Sequence, residues 1–222
     1  MPRSSPAGAQ SKKEVAGLPV RAVRAQALAA ATHLFAKQGV GATALQEIAD
    51  AIGVTKQAIL HHFRSKEQLR DAVLEAMLAH WQERLPRLLA AATASEDRFD
   101  AVLGELRRFF SDDPDRARLV VREALDRPAE VGRLLRGPVR SWVAAISGYI
   151  RDGQTHGRHF ADVDPEAYVV HILYFVITAA ASEAVTHAAI EPTAAGRARF
   201  DRELVRIAKA ALFVPRPARR RK

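Results

Sequence analysis

The chain has no cysteine, which excludes a disulfide framework, a thiolate metal site and a cysteine nucleophile. Aromatic residues are scarce at 6%, while 48% of residues are hydrophobic, a balance that suits a helical protein with a sizeable core. The period-2 alternation that marks a strand is missing, and so is any repeat of fixed period. The opening stretch MPRSSPAGAQSKKEVAGLPV has no apolar signal-peptide core, so a cytoplasmic location is expected. No nucleophile elbow, phosphate loop or metal-spaced cluster stands out, so an enzyme would have no evident centre and no cofactor is expected. His156 and His159 stand at a two-ligand spacing, but their Gly-rich surroundings read better as a surface loop than as a metal site.

Charge is plentiful but unevenly placed. The formal net charge is +9; Arg216, Arg219, Arg220, Arg221 and Lys222 carry +5, Arg3, Lys12 and Lys13 against Glu14 carry +2, and residues 15–215 are left with +2. The basicity thus sits in two tails around a nearly neutral body. Basic tails are usually just solvated, so charge alone is weak evidence for a nucleic-acid partner.

The rest of the chain is a succession of helical patterns, which gives an all-α fold class. Val23, Ala27, Leu28, Ala31, Leu34 and Phe35 share one face of a first helix over about Val20 to Gln38, with Gly39 as its stop. Thr43 with Gln46, and Ser65 with Gln68, read as capping boxes opening a second and a fourth helix. Pro86 is expected to kink or end the fourth. Ser95, Asp113-Pro114, Pro128, Gly137-Pro138 and Asp164-Pro165 start further helices, and a last one is expected over Thr193 to Val214. Residues Ala167 to Ser182, AYVVHILYFVITAAAS, carry no formal charge. The run falls short of the roughly 18 residues of a membrane-span candidate, so no membrane partner is expected. Burial on both faces is the better reading, against this chain's own core on one side and either more of that core or a second subunit on the other.

Residues Thr43 to Leu69, TALQEIADAIGVTKQAILHHFRSKEQL, carry the chemistry. Two short amphipathic segments meet at Gly53-Val54, where glycine supplies the positive φ of a tight turn, and Thr55 caps a third helix running to about His62. This is the layout of a helix-turn-helix DNA reader. Ile59, with Val54 and Phe63, is expected inside, leaving Lys56, Gln57, Leu60 and His61 on the outward face. The Gln57 carboxamide suits the N6 and N7 edge of adenine, Lys56 a guanine edge or a phosphate, and Leu60 a thymine methyl. Thr43 and Lys66, each at a helix start, read as phosphate clamps. Arg21 and Arg24 are candidates for backbone contacts, and Lys12 and Lys13 for loose tracking of DNA. Each of these residues alone is also consistent with an ordinary solvated or capping role; the ordered set is what points to DNA.

From Arg24 to Leu69 the sequence resembles the N-terminal domain of TetR-family transcriptional regulators. The marks are Arg24, Ala30-Ala31, Leu34-Phe35, Gly39, Thr43, Ile48-Ala49, Gly53-Val54, His62-Phe63, Ser65-Lys66 and Leu69. The resemblance implies a homodimer that binds a palindromic double-stranded operator and is released by a small-molecule effector held in a helical C-terminal domain. It also implies that Thr55 to His62 is the recognition helix and that Thr43 and Lys66 contact phosphate. Leu60 stands where a backbone-touching tyrosine is usual and Gln57 where glycine is common. The domain layout that follows is a flexible basic arm over 1–19, a helix-turn-helix domain over 20–64, an effector-binding and dimerisation domain over 65–214, and a basic tail over 215–222. Candidate effector contacts are Phe109, Glu123, Trp142, Tyr149, His171, Tyr174, Phe175 and Thr178, aromatic and polar groups on the central helices of that domain. Each is also consistent with a core role; a bond from His171 to Glu123 would serve equally well. The rival reading is a non-specific architectural DNA binder driven by its basic tails.

Overall fold

The computed structural model describes residues 20–91, 95–190 and 193–215. Lys12, Lys13 and the basic run from Arg216 onward lie outside them. Among the described residues there are eleven helices, and the chain divides after Met77 into two compact units.

The first unit contains α1 (Val20–Ala42), α2 (Leu45–Ala51), α3 (Lys56–His62) and the opening of α4 (Lys66–Ala91). The chain leaves helical geometry at Gly39, with φ 86° and ψ 156°, before a last turn to Ala42. Glycine pays no Cβ penalty there, so the expected stop falls where it should. At the end of α2, Gly53 has φ 71°, its N–H bonds to the Asp50 carbonyl at 3.2 Å and the Val54 N–H to the Ala49 carbonyl at 3.0 Å. That is the paired bonding of a Schellman ending, which satisfies carbonyls a helix end otherwise leaves open. Ala27, Ala31, Phe35, Ile48, Ala49, Ile59 and Leu69 are completely buried, with Phe63 and Val73 nearly so. Leu69 and Val73 belong to α4, so the division falls about three turns into that helix.

The start of α2 differs from expectation. Its N-cap is Ala44, with no side-chain cap bond. The Thr43 hydroxyl instead donates backwards to the Gly39 carbonyl at 2.8 Å, and Gln46 reaches forward to Asp50 at 2.8 Å. The carbonyls left open by the Gly39 break outcompete the α2 N–H groups for this hydroxyl, so the Thr43–Gln46 capping box does not form. The second box forms in part. The Ser65 hydroxyl accepts from the Gln68 N–H at 3.1 Å, while the Gln68 side chain accepts from the Arg64 N–H, one residue short of the reciprocal partner.

The second unit holds the rest of α4, α5 (Ser95–Ser111), α6 (Pro114–Asp126), α7 (Pro128–Leu135), α8 (Pro138–Thr155), α9 (Pro165–Ala181), α10 (Glu183–Ala189) and α11 (Ala194–Ala210). Proline opens α6 to α9, where its missing N–H costs nothing. Asp113, Asp164 and Thr193 cap α6, α9 and α11 with their side chains. Pro86 does not end α4, which runs on through it to Ala91. α9 packs on α5, α6 and α8. α11 ends at Ala210, short of the expected Val214, because the chain then turns and bridges His159 to Phe213. The Phe160 N–H donates to the Leu212 carbonyl and the Val214 N–H to the Arg158 carbonyl, both at 3.0 Å.

This bridge corrects the surface-loop reading of His156 to His159. His156 is exposed beside Asp152, but His159 is 1% exposed. Its Nδ1 lies 3.0 Å from the Ile150 carbonyl, and its ring sits edge-on between Tyr149 and Phe213. Burial pushes its pKa below the usual histidine value. A Cβ at Gly153 would fall 1.9 Å from the His159 ring, so only glycine admits it. Among the described residues no single helix is long and apolar enough to cross a membrane.

Candidate nucleic-acid interface and ligand cleft

The third helix presents its side chains as its spacing requires. Thr55 caps α3, its hydroxyl accepting from the Ala58 N–H at 3.2 Å. Ile59 then turns inward and is completely buried. Around that anchor Ala58 and Leu60 are half-buried, and beyond them Lys56, Gln57 and His61 are exposed. Phe63 closes the core from below, and the Arg24 guanidinium lies over its ring at 5.5 Å, a cation–π contact that leaves the exposed Arg24 a role in the fold as well as at the surface. Val54 is half-exposed rather than inside. What remains on the outward face is one cation, one carboxamide, one imidazole and one aliphatic edge on a helix fixed at both ends.

Of the two expected phosphate clamps, Thr43 is buried and Lys66 is half-exposed. Thr43 is 1% exposed with its hydroxyl spent on Gly39, so in this structure that hydroxyl is not presented to a phosphate. Lys66 donates to the Gly41 carbonyl at 2.9 Å and to the Thr43 carbonyl at 3.0 Å. An ammonium has three N–H donors, so two are committed to tying the start of α4 to the turn between α1 and α2, and one is left.

The eight candidate effector contacts do not converge. Phe109 and Trp142 both meet Trp81, at 5.6 and 6.5 Å between ring centroids, and Phe109 is further sandwiched between His80 and the Arg116 guanidinium. Glu123 is fully buried and accepts from Arg127 at 2.7 Å. Tyr149 packs on His159, at the α11 bridge. Phe175 is half-buried, whereas His171, Tyr174 and Thr178 are exposed along one face of α9. Within one chain α9 packs on α5, α6 and α8 and leaves a stripe of it open, which rules out complete burial inside the chain's own core and leaves the second-subunit reading; His171, being solvated, needs no bond to Glu123.

A cleft of about 140 Å³ opens elsewhere in the second unit, between α5, α9, α10 and α11. None of the eight candidates lines it. Val176, Ile190, Phe200 and Leu204 supply apolar wall, and Arg107, Glu183, His187, Arg197 and Asp201 the polar groups. Sequence reasoning missed these residues because they come from four helices, and a charged residue on an amphipathic helix carries no local sign that it faces a cleft.

Residues 27–73 match the family model for bacterial regulatory proteins of the tetR family. The transcriptional regulator TtgR of Pseudomonas putida is 40% identical over 85 residues, a stretch that spans 38% of each chain. The regulator RutR of Escherichia coli is 29% identical over 168 residues, 71% of each chain. Among solved structures, the ketosteroid regulator KstR2 of Mycobacterium tuberculosis superposes with a TM-score of 0.66 over 86% of this chain and 95% of its own, at 16% identity. At that identity the likeness is one of fold.

Proposed function

The chain belongs to the tetR family of bacterial regulatory proteins through its N-terminal unit, and on that premise we propose that it is a cytoplasmic, ligand-responsive transcriptional regulator, a repressor that binds a palindromic operator as a homodimer and releases it when a small molecule binds the second unit. The observation that carries this reading is the outward face of α3. A solvated helix with no task has no need of a buried anchor at Ile59, a side-chain cap at Thr55 and a Schellman turn before it. Together these hold Lys56, Gln57 and His61 in one orientation, which is what base readout demands.

The dimer reading is supported by α9. Its exposed stripe carries Tyr174 at 62% exposure with His171 and Thr178, on a run from Ala167 to Ser182 without formal charge, and a second copy would cover it. Release of DNA then follows from linkage. An effector weakens DNA binding only as far as it prefers the DNA-incompetent state, and DNA weakens the effector by the same factor. α4 contributes to both units, so it is the element through which we expect the change to pass.

The rival is a tail-driven binder. A gel shift on upstream DNA compares the full chain, a chain lacking residues 216–222, and Lys56→Ala with Gln57→Ala combined. The regulator reading expects the double substitution to abolish the specific shift and the truncation to weaken specific and scrambled duplexes alike. Binding that survives the double substitution and collapses on truncation would establish the rival.

A further inference from the structure

Among the described residues, two charges of the second unit's cleft have no side-chain hydrogen-bond partner, and they are of opposite sign. Arg197, near the start of α11, lines the cleft; its backbone N–H bonds to the Thr193 carbonyl, but its guanidinium makes no hydrogen bond or ion pair with another described residue. Glu183, the first residue of α10, has among the described residues only His187, whose Nε2 stands 3.6 Å away, too far for a hydrogen bond. The remaining charges of the wall, Arg107 and Asp201, are closed on each other at 2.8 Å. Beside these groups lies apolar surface from Val176, Phe200 and Leu204.

A simple anion entering here would gain Arg197 and be repelled by Glu183; a simple cation would meet the reverse. Only a molecule carrying both charges satisfies both, and discrimination of this kind rests as much on repulsion of the wrong ligand as on attraction of the right one. We propose that the cleft binds a small zwitterion with an apolar body, an α-amino acid with a hydrocarbon side chain being the simplest case. The carboxylate is taken by the Arg197 guanidinium, whose planar fork matches it. The ammonium is taken by Glu183, and the side chain lies against Val176, Phe200 and Leu204. By helical spacing Val176 and Ala179 sit on a different side of α9 from His171, Tyr174 and Thr178, so the ligand and a second copy of the chain use different faces. The proposal deepens the ligand-responsive reading above and rests on it only for the consequence at DNA.

Binding is therefore measured first without DNA, by isothermal titration of the full chain with leucine, valine and phenylalanine. N-acetylleucine, which lacks the ammonium, and leucinamide, which lacks the carboxylate, are the controls. At least one amino acid is expected to bind saturably, with both leucine analogues weaker by about tenfold or more, the usual worth of a charge-assisted hydrogen bond. Arg197→Gln is expected to erase the preference over leucinamide and leave the preference over N-acetylleucine; Glu183→Gln is expected to do the reverse. Neither side chain is buried, so both variants should melt as the parent does. No saturable binding up to roughly 10 mM, equal binding of leucine and its analogues, or variants that keep both preferences would overturn the assignment. If the amino acid binds with this pattern while DNA affinity stays unchanged, the cleft assignment stands and the ligand-responsive reading falls.

Discussion

The two units are held together in different ways. In the first, the contacts that fix the ends of α2, α3 and α4 are mostly short in sequence: Thr55 caps Ala58, Val54 closes on Ala49, and Ser65 receives Gln68, while Lys66 reaches back to Gly41 and Thr43. In the second, they join distant parts of the chain: the Tyr168 hydroxyl donates to the Ala208 carbonyl at 2.6 Å, Lys209 meets Asp100 at 2.7 Å, and the bridge beyond α11 reaches back to His159. Local caps give a surface whose shape is set before anything binds. Distant pairs allow helices to shift by breaking a few contacts, as a unit that senses a ligand must. The difference fits the proposed division, in which one unit reads DNA and the other responds to a ligand.

Four perturbations test that division, in falling order of effect. Phe63→Ala, which empties the floor of the first unit, should cost about 3–5 kcal/mol in urea unfolding of that unit and leave the transition of the second in place. Equal loss in both would mean that the units do not unfold separately. Gln57→Ala should leave stability unchanged and cost about 1–3 kcal/mol on the preferred operator; the same loss on every duplex would reduce Gln57 to general grip. Lys66→Met and Lys56→Gln separate fold from contact. The first should lower the stability of the first unit by about 1–2 kcal/mol and leave the salt dependence of DNA binding unchanged. The second should leave stability alone and lower the salt slope by about one. A reduced slope in Lys66→Met would show that its remaining donor reaches a phosphate.

The smallest effect belongs to His159 and to the second unit. Burial disfavours the imidazolium, so its folded-state pKa lies below the unfolded value of about 6.5. Its contribution is then fully present above that value and is lost as the pH falls through the folded-state pKa. Melts recorded from pH 7.5 down to pH 5 should show the second unit losing stability in the parent and less so in His159→Gln; identical profiles would remove His159 as the cause.

The same contrast explains how much of the molecule was legible in its sequence. Gly39, Gly53, Thr55, Ile59 and the prolines of α6 to α9 act on neighbours within a turn, so their roles follow from spacing. Thr43 did not, because two acceptors competed for one hydroxyl and the nearer break at Gly39 won. In the second unit, spacing located α9 but not which of its faces is covered, so His171, Tyr174 and Thr178 fell outside rather than in a pocket. His159 was misread for a related reason. Its burial depends on Phe213, more than fifty residues on, and on the absence of a Cβ at Gly153. Arg197 and Glu183 had no local signal at all.

The central claim is that the exposed face of α3 reads DNA sequence for a two-fold symmetric protein. Selection from a pool of randomised duplexes tests it most directly. The full chain should enrich an inverted repeat, and the variant combining Lys56→Ala with Gln57→Ala should enrich nothing. A pool that stays unenriched, or the same sequence recovered by both proteins, would contradict the account.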